Sequence, residues 1–299
     1  HEQGGYFLDN GASLCGPHHI AAEQTTLSCD AIRERCGIER IVLPEHLYPD
    51  FQYDKWGNII TEKGRIKGEL YYDESVQKIL RGDDFIKYFK YPRTYHLPWS
   101  APSDDDKVLE DESVFAGQEV VVTEKMDGEN FTGYNDYCHA RSVDSPSHPS
   151  RHKAKEIWFQ RAYLLDDNMR VCGENLYAKH TIHYRDLKSY LLLFSVWIDD
   201  RCLAWDETLE YAELLDLPTP EVIYRGPYQR EAIEQAYAEF CLNAAREVEG
   251  FVLRRAGEFR FFDFSRSVAK FVEPQFRQQL NEAHGHWISR KVRVNGVGE

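Results

Sequence analysis

The sequence predicts an α+β fold: twisted, largely antiparallel sheets form a groove, and helices pack outside them. Three observations predict it. The β-branched run Glu119-Val120-Val121-Val122-Thr123 leads through a turn into the alternating residues Phe131-Thr132-Gly133-Tyr134, a strand–turn–strand pattern. Residues 190–198 (YLLLFSVWI) form a continuous apolar run of the length of a buried strand in a central sheet. Residues 205–215 and 229–246 read as helices.

Composition bounds the rest. The chain has 299 residues, 42% hydrophobic and 13% aromatic, which is globular rather than disordered. Its 36 Lys+Arg against 50 Asp+Glu give a net charge of -14, which argues against indiscriminate nucleic-acid binding. A local basic track survives that argument. Residues 139–155 carry Arg141, Arg151, Lys153 and Lys155 against Asp144 alone, with three histidines interspersed. This stretch reads either as a solvated loop or as a phosphate-facing loop beside a nucleotide pocket. No apolar run approaches the roughly 18 residues of a membrane span, and no secretory signal opens the chain. Seven cysteines without regular pairing fit a reducing compartment, so the expected location is cytoplasmic.

In chain order, residues 1–47 read as irregular. Residues 50–73 alternate around Trp56-Gly57-Asn58 and Lys63-Gly64-Arg65, which predicts small hairpins, and 75–80 predicts a short helix. With a boundary within 82–90, residues 1–85 form an N-terminal accessory region, 86–272 the main domain and 273–299 a C-terminal tail. Residues 91–98 are proline-bracketed and extended, and the acidic run Asp104-Asp105-Asp106 reads as solvated loop. Strands are expected to about residue 143. A helix follows over 153–165, with Ile157, Trp158, Ala162 and Leu165 on its apolar face. Strand character resumes over 170–177, and residues 247–254 and 258–264 close the sheet.

The turn between the first two main-domain strands is Glu124-Lys125-Met126-Asp127-Gly128-Glu129-Asn130. Its glycine allows close approach of backbone to a ligand. Lys-x-Asp-Gly arises by accident roughly once in fifteen chains of this length, so the motif alone decides little. Further segments follow it: Gly173-Glu174-Asn175, Phe194, Glu249-Gly250-Phe251-Val252 and Ser267-Val268-Ala269-Lys270. Together, in this order and spacing, they resemble the covalent nucleotidyltransferases, the superfamily of ATP-dependent ligases and mRNA capping enzymes. The resemblance covers about residues 90–290 and implies a nucleotidyltransferase (ATP-grasp-like) domain.

What it implies for the residues is specific. Lys125 would be the nucleophile, Glu174 would bind the ribose, and Phe194 and Val252 would flank the adenine. Glu249 would work with the metal, and Lys270 would reach the α-phosphate. Glu124 and Asn130 resemble positions that touch the nucleotide in nick-sealing RNA ligases; Asp127 belongs to the same motif, and Arg141 fits the basic residue that follows. Residues 170–182 look close to a group of bacterial and phage RNA ligases. In such ligases Arg93 and His96 would stand where phosphate contacts are placed. The 29 residues after Lys270 are too few for the small barrel domain of DNA ligases and capping enzymes, which weighs against both. One departure stands out: the family's fifth motif has basic residues at i and i+2, whereas Val268 precedes Lys270 and Phe271-Val272 follow it. Arg266 or Lys291 would have to compensate.

The implied chemistry explains the residue types. A free lysine amine, with a pKa near about 10.4, must lose its proton in place, through burial and nearby positive charge from metal and Lys270. It then attacks the α-phosphorus of ATP to give lysyl-AMP, AMP passes to an RNA 5′-phosphate, and a 3′-hydroxyl displaces it. Mg²⁺ (or Mn²⁺) would bind phosphate oxygens, with Glu249 and then Glu174 as carboxylate ligands. The alternatives are a capping-like end-modifying transferase and a non-catalytic module that holds RNA ends. A P-loop kinase is excluded because no G-x-x-x-x-G-K-[ST] occurs. Residues 8–19 resemble the second half of an HNH-type zinc motif. Cys15 and His18 would supply two ligands, Cys29 and Cys36 are candidates for the others, and a structural remnant or docking arm is the alternative reading.

Overall fold

The computed structural model describes residues 11–24, 26–37, 51–53, 57–68, 71–72, 85–103, 105–276 and 291–298. The chain divides into two compact units, residues 1–89 and 90–299.

In the first unit, helices α1 (Gly16–Glu23) and α2 (Cys29–Cys36) stand where irregular chain was expected. Their signals are local: Pro17 opens α1, the Ser28 side chain accepts the Ala31 N–H at 3.2 Å, and Gly37, at φ 66°, ends α2. The two predicted hairpins form an antiparallel meander of β1 (Gln52–Tyr53), β2 (Ile59–Thr61) and β3 (Gly64–Ile66). Trp56, the helix predicted over 75–80 and the first residues of the zinc-like stretch lie outside the described residues.

The second unit contains two sheets among its described residues. The strands are β4 (Tyr95–His96), β5 (Glu119–Glu124), β6 (Glu129–Gly133), β7 (Cys138–His139), β8 (Met169–Asn175), β9 (Leu191–Ile198), β10 (Arg201–Cys202), β11 (Val222–Pro227), β12 (Gly250–Arg255), β13 (Phe259–Arg260) and β14 (Val268–Val272). One sheet runs β13-β10-β9-β8-β6-β7 and is antiparallel throughout. The other runs β11-β5-β12-β14-β4, with only the β14–β4 pair parallel.

Each sheet buries one face against helices. Helix α3 (His152–Phe159) and helix α4 (Trp205–Leu214) cover the first, where Trp158, Val171, Leu193, Val196 and Ala212 pack together. Helix α5 (Arg230–Asn243) covers the second, setting Ile233 and Tyr237 on Val120, Val122, Phe251 and Leu253. The chain crosses from one sheet to the other between β5 and β6, and Lys125 lies at that crossing.

Two predicted elements are shorter than expected. The helix over 153–165 stops at Phe159, because Arg161 turns back to donate to the carbonyls of Ile157 (3.0 Å) and Leu215 (2.6 Å). A single 3-10 turn, Ala162–Leu164, follows. The strand over 258–264 ends after β13 and gives way to a 3-10 turn and α6 (Phe264–Ser267). Strand alternation would set Phe264 opposite Phe259 and Phe261; the helical turn brings all three rings within 6.4 Å of Trp197.

Residues 291–298, expected as tail, lie along the loop 176–190. Asn295 is 2% exposed; its side chain accepts the Tyr184 N–H at 3.1 Å and donates to Leu176 O at 2.8 Å, while its own carbonyl accepts the Tyr190 hydroxyl. Among the described residues no helix is long and apolar enough to cross a membrane.

Candidate active site

The lysine turn is fixed by backbone. Glu124 N–H donates to Glu221 O and Lys125 N–H to Gly250 O, at 2.9 and 3.0 Å. Asp127 accepts the N–H groups of Thr181 and Ile182, both at 2.7 Å, and its own N–H donates to the Tyr184 hydroxyl at 2.9 Å. The turn is thereby tied to the loop that Asn295 holds. Two glycines are sterically required. A Cβ on Gly128 would stand 2.6 Å from Asn175 O, and one on Gly250, at φ 153°, would stand 2.0 Å from Phe271 O.

Between the inner faces of the sheets lies an open cleft. It brings together Glu124, Lys125, Asn130, Glu174, Phe194, Val252 and Lys270 from six strands and the turn. Sheet register explains much of this. Thr123, Val252 and Lys270 are aligned across β5, β12 and β14, and Asn130 pairs with Glu174 across β6 and β8. Phe194 occupies a β-bulge: Cys172 pairs with Ser195 and Gly173 with Leu193, so residue 194 is the extra one. Leu193 and Val196 both point to the helix-covered core, which leaves Phe194 and Ser195 together on the cleft side.

The floor is a cluster of charge. Lys125 Nζ is 2.8 Å from Glu249 Oε1, with both side chains largely buried. Burial alone would lower the pKa of Lys125, but the charges of Glu249, Glu174 and Asp127 outweigh it and raise it above the ordinary value. Burial therefore does not by itself deprotonate the amine. Burial, reinforced by Glu249, Asp127 and Glu129 and opposed by Lys125, pushes Glu174 up to about 8. Burial also raises Glu249, against the pull of Lys125. Lys270 is lowered, first by burial.

The remaining predicted residues are placed less directly. Asp127 is 7% exposed and spends its carboxylate on the loop rather than lining the cleft. Glu124 also lines the cleft, but its carboxylate is paired at both oxygens with Arg246, which lies over the Tyr184 ring. Arg141 is exposed and outside the lining, as are Arg266 and Lys291. Arg93 is exposed and donates to Asp105 O at 2.7 Å, while His96 is buried 3.2 Å from Asp106. Asp106 is therefore no solvated loop residue. Cys15 and His18 do meet, Sγ to Nδ1 at 2.9 Å, yet among the described residues no three metal-ligating side chains cluster. Cys36 is exposed, and the Cys29 side chain lies outside the described residues.

Sequence reasoning missed four contributors. Tyr91 packs edge-on against Phe194 and Phe264, with centroids at 5.5 and 5.3 Å. Arg254, 5% exposed, donates to Leu203 O and lies over Trp205 and Phe259. Arg246 and Asp106 are the others. The run EGFVLRR around Arg254 offered the only local signal, a cation inside an apolar strand.

A family model described as RNA ligase matches residues 118–272, just over half of the chain. Among solved structures, the chain is similar to a Naegleria gruberi RNA ligase with PPi, at 17% identity over 79% of this chain and 82% of that one, with a TM-score of 0.45. A mutant of that ligase with ATP and Mn matches at 16% identity over 72% of each chain, TM-score 0.42. An archaeal ATP-dependent RNA ligase matches at 18% identity over 56% of this chain and 46% of that one, TM-score 0.37. No curated protein matches. The family assignment rests on the first of these findings.

Proposed function

This chain belongs to the RNA ligase family, and from that premise we propose that it joins RNA 3′-hydroxyl and 5′-phosphate ends at the expense of ATP, through lysyl-AMP on Lys125. The observation that carries the reading is Lys125 at the crossing between two sheets, 2.8 Å from Glu249, on the floor of an aromatic-walled cleft.

In this reading the adenine enters between Phe194 and Val252, with Glu174 at the ribose and Lys270 at the α-phosphate. Lys125 loses a proton and its nitrogen attacks the α-phosphorus; the P–N bond forms as the bond to pyrophosphate breaks. An RNA 5′-phosphate oxygen then displaces Lys125 and leaves the RNA end adenylylated. The 3′-hydroxyl attacks that 5′-phosphorus and releases AMP. Positioning and charge neutralisation carry most of the catalysis.

The residues present fit a divalent cation, Mg²⁺ or Mn²⁺. Glu249 Oε2 is buried with no protein partner, and carboxylate oxygens suit a hard ion. Glu249 and Glu174 would hold it, with phosphate oxygens and water completing the shell, since no third ligating side chain joins them among the described residues. Such an ion supplies positive charge beside the reacting phosphate. Glu249 holds Lys125 over the floor, and the buried walls exclude water from the adduct.

The test is ligation of 5′-labelled RNA with ATP and Mg²⁺. Sealed product with the wild type, none with Lys125→Ala, and adenylylated RNA accumulating when the 3′-end is blocked are expected. A stable nucleotide cap made from GTP, without sealing, would replace this reading with the capping one.

A further inference from the structure

Strand β14 presents one cation to the cleft. Val268 and Val272, two residues to either side of Lys270 and therefore on its face, are both apolar. Neither Arg266 nor Lys291 lines the cleft. In place of a second cation, the structure sets a carboxylate against Lys270: Asp106 Oδ1 stands 3.4 Å from its Nζ.

That carboxylate is built in. Asp106 Oδ2 accepts the Ser103 N–H at 3.0 Å and the Ser103 hydroxyl at 2.7 Å, and faces His96 Nε2 at 3.2 Å. His96 is 1% exposed and pairs in register with Lys270 across β4 and β14. Its Nδ1 is 2.7 Å from Ser100 Oγ, which also accepts the Val272 N–H at 2.9 Å. The serine oxygen thus links the imidazole to β14, and the other ring nitrogen faces Asp106. The loop after β4 is thus folded back on β14 at both Val272 and Lys270.

We propose that Asp106 is the positioning residue for Lys270, fixing in the cleft the one phosphate-facing cation that β14 carries. A long, flexible lysine side chain gives up rotamer freedom when it is fixed. An anchored lysine meets that cost before the nucleotide arrives. Burial would raise the Asp106 carboxyl, but the Ser103 bonds, Lys270 and His96 hold it well below the usual range, so it stays charged. Its charge in turn favours the ammonium form of Lys270, against burial and the neighbouring Lys125.

This inference rests on the proposed adenylyl transfer, and a double-mutant cycle separates the two. Single-turnover adduct formation is measured across ATP concentrations for the full chain, Asp106→Asn, Lys270→Ala and the double variant. Asp106→Asn keeps an oxygen for Ser103 and is expected to lower the maximal rate about tenfold at little-changed ATP affinity, as loss of orientation does. In the Lys270→Ala background it should change the rate by less than about twofold, because the side chain it orients is gone. Asp106→Glu, which keeps the charge, should recover most of the loss. Equal losses in both backgrounds would make Asp106 structural, and an unchanged or faster Asp106→Asn enzyme would make it a mere competitor for Lys270; either overturns the proposal. A normal Lys270→Ala enzyme overturns it too, while leaving the adduct chemistry standing. A wild type that forms no adduct removes both.

Discussion

At the scale of single residues, Lys125 is stored as an ammonium. Three carboxylates outweigh the burial around it, so its pKa is raised and the amine is not free in the resting protein. A group titrating above its ordinary range gains reactivity as pH rises. Adduct formation at saturating ATP and Mg²⁺ should therefore increase from pH 6 to pH 9, and a flat profile would show that deprotonation does not limit it. Glu249→Gln removes the anchor for Lys125 and the buried oxygen offered to a cation, and should slow adduct formation about 100-fold. Glu174 gives a second pH prediction, read from stability. Its folded-state pKa of about 8 lies above its ordinary 4.5, so the folded protein holds a proton that the unfolded chain has released. That contribution is full below pH 4.5 and lost as pH rises to about 8. Glu174→Gln should therefore gain on the wild type in chemical denaturation as pH rises across that window, and a constant difference would contradict the shift. The cleft residues legible in the sequence were those marked locally, by motif. Arg246 meets Glu124 across 122 positions and Asp106 meets Lys270 across 164, and no spacing rule reaches that far.

At the scale of elements, most of the main-domain strands were legible because they are apolar and continuous, as in β5 and β9. The strand β11 was not. It is a largely exposed edge strand containing arginine, glycine and proline, so it carries no buried-strand signal. The end of the predicted helix over 153–165 depended on Arg161 finding Leu215 O, a tertiary contact. Two elements shape the site in ways that can be tested. The bulge in β9 turns Phe194 into the cleft, and Phe194→Ala should raise the apparent KM for ATP roughly tenfold, since stacking of a base on an aromatic ring is worth about 1–3 kcal/mol. The segment 291–298 braces the loop that holds Asp127. Asn295→Ala strands Tyr184 N–H and Leu176 O in the interior and should lower Tm by roughly 5 °C. An unchanged Tm would mean that water replaces both bonds.

At the scale of the whole molecule, the net charge of -14 and the cleft chemistry are compatible because the cations are local. Lys125, Lys270 and Arg254 line one cleft, while most of the acidic excess lies elsewhere in the chain. Every residue placed in the proposed adenylyl-transfer site, and the brace at 291–298, belongs to the unit of residues 90–299. The proposed ligation therefore turns on one covalent bond, between Lys125 and AMP. The measurement is peptide mass spectrometry of protein incubated with ATP and Mg²⁺, after removal of any AMP already bound. One AMP on the peptide that contains Lys125, released by added pyrophosphate and absent from Lys125→Ala, is the predicted result. An adduct on another residue, or none, would contradict it.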